Sequence, residues 1–375
     1  MEAFDKYFVD PTFIVDDFHG RSIGCIWCHG GDNSSMNRDV AHQGLITDPS
    51  AAPSDSCTPC HQATVENHMA SLHYDTGGMF DAITRRAGDV SNAKFAKIQT
   101  GFQNHCATCH ASCGSCHVSR PSAAEGGFLE KHIFQKTPSI QYNCTACHSS
   151  RIGDEYMGRN EGCLPDVHWL SEGMLCQQCH AVEQLHGTGQ QYDNRYQTMP
   201  RPQCVDCHDV VDDGNAFHAH HAEPNREGPD FVGASLTCQV CHSGRYKNCF
   251  RCHTGIDDQG LTYFQTDSSV MNFKIGRNPI ASDLHPEDYT VLRHVPTTPD
   301  LFAFYGENLL PDFDVLPTWK FATPHNITLS TSQAESCNAC HGNDEIFLTA
   351  ADLEDDEVEA NQSVIVNGAP QPLSE

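Results

Sequence analysis

Apolar positions are thinly spread along this chain, and short cysteine-rich clusters interrupt them at close intervals. Hydrophobic residues make up 38% of the 375 residues, and the mean hydropathy is −0.47. Nine of ten such clusters lie before residue 254, roughly one per 25 to 30 residues, which leaves no room for a conventional core between them. The pattern therefore predicts a mainly irregular chain with short α-helices and little β structure, in which something besides side chains fills the interior.

The last third of the chain has a different composition. Residues 254–336 contain no cluster and are rich in Phe, Tyr and Pro. We expect them to form loops that wrap the protein, with a β module as the alternative. Residues 349–375 begin with an acidic run and end in Pro and polar residues, which is typical of a solvated tail. A strand that docks on a neighbouring subunit is the alternative there. The predicted segments are thus 1–253, 254–336, 337–348 around the tenth cluster, and 349–375.

The clusters are ten copies of one pattern, C-x-x-C-H. Its cysteines are Cys25 and Cys28, Cys57 and Cys60, Cys106 and Cys109, Cys113 and Cys116, Cys144 and Cys147, Cys176 and Cys179, Cys204 and Cys207, Cys238 and Cys241, Cys249 and Cys252, and Cys337 and Cys340. The histidines are His29, His61, His110, His117, His148, His180, His208, His242, His253 and His341. Of the 21 cysteines only Cys163 lies outside the pattern, most simply as a buried free thiol.

Three kinds of chemistry use a C-x-x-C pair, and the histidine separates them. Redox-active thiol pairs, disulfides and Cys₄ zinc sites have no use for that histidine, whereas covalent attachment of c-type haem uses all three residues. Ten such histidines by chance would have odds of roughly 10⁻¹² if positions are independent. On a helical turn the residues at i, i+3 and i+4 share one face, so two thiols and an imidazole reach one porphyrin together. The sequence predicts ten covalently attached haem c groups.

The second axial ligand decides whether such an iron is an electron carrier or an open site. Fourteen histidines lie outside the motifs, enough for ten irons. The candidates for this role are His19, His42, His73, His105, His132, His168, His186, His218, His221, His294 and His325. His218 and His221 share a helix face in FHAHH, and we expect only one or two of its three histidines to bind. His68 and His285 are the histidines least expected to ligate.

The densest stretch is HCATCHASCGSCHVSRP, residues 105–121, where only two residues separate two motifs. Two porphyrins cannot hang so closely from one face of a straight helix. We therefore expect a break at Gly114 that re-aims the second motif and produces a closely coupled pair of haems. His105 directly precedes the first motif, and we expect it to ligate a different haem.

Charge and cofactor chemistry restrict the partners and the compartment. The net charge of −27 makes nucleic acid and anionic membrane surfaces poor partners. Covalent haem is attached on the outer side of the energy-transducing membrane, so we expect an exported protein, extracellular or on the cell surface, with the periplasm as the alternative. The beginning of the chain, MEAFDKYFVDP, lacks the features of a signal peptide, and we expect that a signal was removed. No stretch of the sequence is long and apolar enough to span a membrane.

The stretches CIWCHGGD, CATCHASCGSCHVSRP and NCTACHSSR resemble bacterial and archaeal multihaem c-type cytochromes. The similarity extends to proteins of the octahaem tetrathionate reductase type and to extracellular cytochromes that form conductive filaments. The resemblance implies a fold organised around a chain of haems. In the filament-forming proteins a histidine near one terminus commonly ligates a haem of the next subunit. By that resemblance His19 is a candidate ligand between subunits, and a haem of its own chain is the alternative.

Together these features favour an electron conduit over an enzyme. We expect bis-histidine haems in a continuous chain, redox proteins or extracellular electron acceptors as partners, and self-association into a homopolymeric filament. The alternative is a multihaem oxidoreductase that reduces nitrogen or sulfur oxyanions at one open haem. The surplus of histidines favours the conduit, because each additional ligand closes an iron to substrate.

Overall fold

A computed structural model of the protein describes residues 6–53, 55–198, 200–210, 214–221 and 234–374. Helices account for 37% of the structure and strands for 10%, and the sheets are small. The predicted chain, mainly irregular with short helices and little β structure, is confirmed. Its organisation around a chain of haems stays a prediction.

Most helices are a single turn or two. The α-helices in the described ranges are α1 Thr12–Asp16, α2 Phe18–Ser22, α3 Cys25–His29, α4 Arg38–Ala41, α5 Thr58–Met69, α6 Leu72–Asp75, α7 Gly77–Ala87, α8 Asn92–His105, α9 Cys113–His117, α10 Thr145–Cys147, α11 Asp154–Tyr156, α12 Val167–Glu172, α13 Cys176–Cys179, α14 Val182–His186, α15 Ala216–His221, α16 Cys238–His242 and α17 Cys337–Cys340. Helices this short are not stable alone, so tertiary contacts must hold them. No helix among the described residues has the length and apolar character to cross a membrane.

Other helical turns and seven short strands complete the secondary structure of the described residues. The 3₁₀ turns are Ala107–Cys109, Ser122–Ala124, Cys204–Asp206, Ser332–Ala334, Asp344–Ile346 and Ala350–Asp352, and the π turns are Ile140–Cys144 and Ser149–Gly153. The strands are β1 Tyr246–Lys247, β2 Cys252–Ile256, β3 Thr262–Thr266, β4 Met271–Asn272, β5 Ile275–Arg277, β6 Tyr289–His294 and β7 Trp319–Phe321.

The strands form three small antiparallel sheets, β1 with β4, β2 with β3, and β5-β6-β7. In the three-stranded sheet Ile275 lies opposite Val291, and Leu292 lies opposite Phe321. All four side chains are buried. Of the two alternatives for residues 254–336, the structure shows the β module, and the expectation of loops is wrong for the strands β2 to β7. Its strands are two to six residues long, too short for their apolar pattern to stand out against the surrounding turns.

The chain divides into two compact units that do not follow the predicted segments. Unit 1 comprises Met1–Gly78, Ala107–Ser149 and Cys176–Pro200, and unit 2 comprises Met79–Cys106, Ser150–Leu175 and Arg201–Glu375. The predicted segments follow the positions of motifs along the sequence, whereas the units follow contacts in space. Six of the motif histidines lie in unit 1 and four lie in unit 2.

The side-chain core is concentrated in unit 2. One cluster surrounds Tyr246, Ile275 and Val291, and a second joins Leu292 to Trp319. A third packs Ile98 of α8 together with other apolar side chains of unit 2. The buried apolar side chains of unit 1 are fewer and scattered. They are Phe13, Val65, Val118 and Ile140. The unit with more motifs thus has less apolar core of its own.

The C-terminal segment belongs to the core of unit 2. Val364 is fully buried against Leu292, Trp319 and Leu348. Asn361 is also fully buried, and its Oδ1 accepts the backbone N–H of Trp319 at 3.0 Å. The prediction of a solvated tail over residues 349–375 is wrong for this part, because Val364 and Val366 fill apolar space that a composition-based prediction cannot see.

The stretch 105–121 breaks earlier than expected. Helix α8 ends at His105, a 3₁₀ turn covers Ala107–Cys109, and α9 starts at Cys113. The break lies just before α9, where Ser112 is extended and its side chain accepts the backbone N–H of Ser115. Gly114 lies inside α9, so its predicted role as the break is wrong. A Cβ there would lie 2.5 Å from Oγ of Ser50, which explains the glycine by close packing.

Cys163 is a buried free thiol, as predicted. Its sulfur lies 3.5 Å from Nδ2 of Asn326, which donates to it, and 3.4 Å from the backbone carbonyl of Leu164. Burial raises the pKa of this thiol, which keeps it protonated and unreactive at neutral pH.

Candidate metal-ligating histidine pairs

Nine of the ten C-x-x-C-H motifs lie on a helical turn, as predicted. Helices α3, α9 and α16 each span a complete motif, and α13 and α17 span the two cysteines. Helices α5 and α10 begin directly after the first cysteine, and 3₁₀ turns carry the third and seventh motifs. A single turn is enough to place the three side chains on one face, and the chain then leaves in another direction.

The ninth motif departs from this geometry. Cys252 and His253 are the first residues of β2 and pair with Thr266 and Gln265 of β3. Successive residues of a strand point to opposite faces, so the shared helical face predicted for every motif is wrong here. Pairing with β3 satisfies the backbone of this motif and stabilises the extended form. The preceding Cys249 is contacted at its sulfur by Nη1 of Arg151, at 2.9 Å.

Seven motif histidines each lie opposite a histidine from outside the motifs. In unit 1 the pairs are His29 with His132, His61 with His19, His117 with His186, and His148 with His73. In unit 2 they are His208 with His168, His242 with His218, and His341 with His221. The distances between ring centroids are 5.8 to 6.4 Å. The partners are at least 24 residues apart in sequence, so the fold brings them together.

This separation fits one metal ion held between two imidazoles. A metal–nitrogen bond of about 2.0 Å on each side, with each ring centroid about 1.2 Å beyond its nitrogen, separates the centroids by about 6.4 Å. All seven observed distances lie within 0.6 Å of this value. Stacked histidine rings are closer, at 4.1 Å for His19 with Phe134. The edge-on contact of His110 with Tyr74 has the same separation as the pairs, at 6.2 Å, so this distance permits a shared metal ion without requiring one. Each pair could therefore supply two imidazole ligands to one metal ion, such as the iron of a haem.

Each pair also contains a histidine anchored through Nδ1. In six histidines Nδ1 lies 2.6 to 3.3 Å from a backbone carbonyl oxygen. These contacts join His29 to Ile46, His117 to Gln135, His73 to Leu185, His221 to Ala234, His242 to Thr328, and His341 to Gln371. In the remaining two pairs Nδ1 of the partner histidine contacts a carboxylate, Asp17 for His19 and Asp166 for His168. A hydrogen bond at Nδ1 selects the tautomer that leaves Nε2 for a metal.

Burial keeps several of these partner imidazoles neutral. It lowers the pKa of His73, His132 and His186, and only the neutral ring can ligate a metal. His132 also has a φ of 76°, the left-handed conformation that non-glycine residues seldom adopt. The rings of Phe13 and Phe128 hold it edge-on, with centroids 4.6 and 4.8 Å away. Such a strained backbone persists only where the surroundings demand one orientation of the side chain.

The other four candidate ligands make contacts of a different kind. Nε2 of His294 lies 2.6 Å from Oε1 of Glu357, so the nitrogen that would face a metal is used by a carboxylate. Nε2 of His105 lies 2.8 Å from the hydroxyl of Tyr305. The backbone N–H of His325 donates to a carboxylate oxygen. His42 is exposed at the end of α4.

The other three motif histidines contact side chains of other residue types. The ring of His110 lies 6.2 Å from that of Tyr74, Nδ1 of His180 lies 2.9 Å from Oε1 of Gln184, and Nδ1 of His253 lies 3.6 Å from Oδ2 of Asp300.

The two histidines least expected to ligate are both buried and bonded to protein. Nε2 of His68 lies 3.1 Å from the carbonyl oxygen of Ala111. The ring of His285 contacts Arg201 and packs edge-on against Phe321.

Thiols of different motifs lie side by side within each unit. Hydrogen-bonded sulfurs join Cys57 with Cys113, Cys109 with Cys147, and Cys144 with Cys176 in unit 1, and Cys204 with Cys238 in unit 2. These bonds lower the pKa of Cys57 to about 6 and that of Cys144 to about 7, because each thiolate accepts from its partner. Burial raises the pKa of Cys28, Cys116 and Cys241, and in each case a nearby thiol of another motif raises it further. These nearby thiols are Cys57, Cys144 and Cys340, respectively. Every motif of unit 1 thus adjoins another.

Nothing in the described residues gathers three or more His, Cys, Asp or Glu side chains into a group that could hold a metal ion alone. The pairs instead offer two protein ligands each. Comparisons with protein-family models, with curated proteins and with solved structures found no match to this chain.

Sequence reasoning missed the two aspartates at the pairs. Asp17 and Asp166 each precede their histidine by two residues, so both stretches read D-x-H, a signal visible in the sequence. Burial raises the pKa of Asp17, but hydrogen bonds from the backbone N–H groups of Phe134 and His19 outweigh it, and the pKa is below its usual value. Asp17 is therefore a carboxylate at neutral pH.

Proposed function

We propose that this chain is a decahaem c-type cytochrome whose function is electron transfer. The observation that carries the proposal is the set of seven pairs in which a motif histidine faces a second histidine at 5.8 to 6.4 Å. When bound, haem c iron supplies a reversible one-electron couple. Two imidazoles on one iron leave no position for a substrate, which favours electron transfer over catalysis at these seven sites.

The cysteines support the proposal independently. Each motif supplies two thiols for thioether bonds, and all 20 are free in the structure. Thiols of neighbouring motifs lie in hydrogen-bond contact in four cases. Since each thiol would mark the edge of one attachment site, such contacts favour attachment sites that lie beside each other within a unit. Side-by-side attachment sites suit a conduit, in which electrons pass from site to site.

Haem content tests the cofactor. Intact-protein mass spectrometry of the holoprotein should show ten haem additions, and they should survive denaturation because the thioether bonds are covalent. A protein that carries zinc and no haem would end the proposal.

Spin state tests electron transfer against catalysis. Low-temperature electron paramagnetic resonance of the oxidised protein should show low-spin ferric iron at the seven paired sites, about seven tenths of the total with ten motifs in the chain, and added nitrite, hydroxylamine or tetrathionate should leave that signal unchanged. A substantial high-spin signal that responds to one of these would favour the alternative, a multihaem reductase with one open iron.

We also propose that the protein is exported, acts outside the cell or at its surface, and self-associates into a filament that passes electrons to redox proteins or extracellular acceptors. This part rests on the resemblance and on haem chemistry. His19 faces His61 of its own chain, so a link between subunits would need a different histidine. Negative-stain images over a range of concentrations should show filaments, and monomers throughout would refute self-association.

A further inference from the structure

Two of the partner histidines differ from the others in what holds them. Oδ1 of Asp17 accepts the backbone N–H of His19 at 2.8 Å and lies 3.1 Å from Nδ1 of the same residue. Oδ1 of Asp166 does the same for His168, with both distances 2.8 Å. The carboxylates are 6% and 4% exposed, so water screens these bonds little.

Both carboxylates are fixed at their second oxygen as well. Oδ2 of Asp17 accepts the backbone N–H of Phe134 at 2.9 Å, and Oδ2 of Asp166 accepts that of Ile327 at 3.0 Å. These donors come from segments 117 and 161 residues away. A carboxylate held at both oxygens cannot turn away from the histidine, so each aspartate is a rigid anionic acceptor.

The other anchored histidines of the pairs face neutral acceptors. Nδ1 of His29 lies 2.7 Å from the carbonyl oxygen of Ile46, and Nδ1 of His221 lies 2.9 Å from that of Ala234. A carboxylate withdraws the Nδ1 proton more strongly than a carbonyl does and makes Nε2 a better donor to a metal. Better donation stabilises ferric iron more than ferrous iron, because the higher charge gains more from it.

We propose that Asp17 and Asp166 set the reduction potentials of the two haems attached at His61 and His208, making them more negative than haems whose histidines face carbonyls. The inference rests on the proposed function and deepens it. The aspartates act through His19 and His168 and are positioning residues. One lies in each unit, so each unit has a low-potential site.

The test uses the full-length holoprotein and the variants Asp17→Asn and Asp166→Asn. Asparagine keeps an oxygen for the helix N-cap but removes the charge. Asp32→Asn is the matched control, because exposed Asp32 accepts the backbone N–H and hydroxyl of Ser34 in the same kind of turn and faces no imidazole there. Haem absorbance is followed in a spectroelectrochemical titration.

In each variant about one tenth of the change in haem absorbance should occur at a higher potential than in the wild type. In the double variant this fraction should be about two tenths, since each aspartate contacts the histidine of one of ten sites. Asp32→Asn should titrate as the wild type does. Curves for Asp17→Asn and Asp166→Asn that match the control would overturn the inference, as would a shift to lower potential.

A measurement on the wild type covers the case in which a variant does not fold. Electron paramagnetic resonance during reductive titration should show two haems with signals of strengthened axial ligation, and these should stay oxidised at potentials where the five haems whose histidines face carbonyls are already reduced. Reduction of these two haems together with the other five would also contradict the inference. A wild type without covalent haem would instead refute the proposed function, so the two failures are distinguishable.

Discussion

Replacing His168 by alanine should convert one haem from low-spin to high-spin and leave the others unchanged. The ring centroids of His168 and His208 are 5.8 Å apart, a separation that fits one metal ion between the two imidazoles. Cys204, Cys207 and His208 would remain, so the haem should stay attached with one open axial position. With ten motifs in the chain, about one tenth of the ferric iron should become high-spin.

The assay is spin quantitation by low-temperature electron paramagnetic resonance of the oxidised protein, followed by titration with imidazole. Free imidazole should occupy the space of the missing side chain and restore the low-spin signal, which a merely structural role of His168 would not produce. His294→Ala is the matched control. His294 lies in the same unit and is bonded to Glu357 and stacked on Trp319, so its loss should lower stability and leave the spin state unchanged. The reasoning fails if His168→Ala has no more high-spin iron than the wild type, or if His294→Ala gains a further high-spin tenth.

Three further predictions concern the packing that supports the sites. Arg293→Met should lower the free energy of unfolding by about 3–5 kcal/mol at pH 8, because it leaves the carboxylate of the fully buried Glu155 without its ion-pair partner. Burial already raises the pKa of Glu155 to about 7, so the native state holds its proton longer than the unfolded state, and the loss should shrink at pH 5. Urea midpoints at both pH values check this, and equal losses would contradict it. Gly114→Ala should cost about 1–3 kcal/mol because the new Cβ would lie 2.5 Å from Oγ of Ser50, and an unchanged urea midpoint would contradict this. Val364→Ala should cost about 2 kcal/mol, and an unchanged thermal midpoint would mean that the C-terminal segment adds no stability.

The helical geometry of most motifs could be predicted because it depends on neighbouring residues only. In C-x-x-C-H, five consecutive residues carry every side chain that the proposed haem attachment would need, and the period of a helical turn explains their spacing. Motif nine shows the limit of this argument. The same five letters lie partly on β2 there, because a hairpin partner more than ten residues away supplies backbone hydrogen bonds that the pentapeptide cannot reveal.

The roles of individual residues depended on distant partners. His294 and His168 look alike in sequence as isolated histidines beside apolar residues, yet one faces Glu357 and the other faces His208. Likewise, the polar composition of the C-terminal segment predicted a solvated tail, while Val364 is fully buried. In each case the deciding neighbour is tens of residues away along the chain.

By itself, the sequence determined how many attachment motifs there are, the helical turn that carries most of them, the scarcity of long helices and the surplus of histidines. These follow from spacing and composition, which act over one turn of chain. Only the tertiary structure decided which histidine faces which motif and that the C-terminal segment completes a core. It also decided that the buried carboxylates of Asp17 and Asp166 contact Nδ1 of two of the partner histidines. Those outcomes depend on long-range packing, in which each pair forms because the whole unit closes around it.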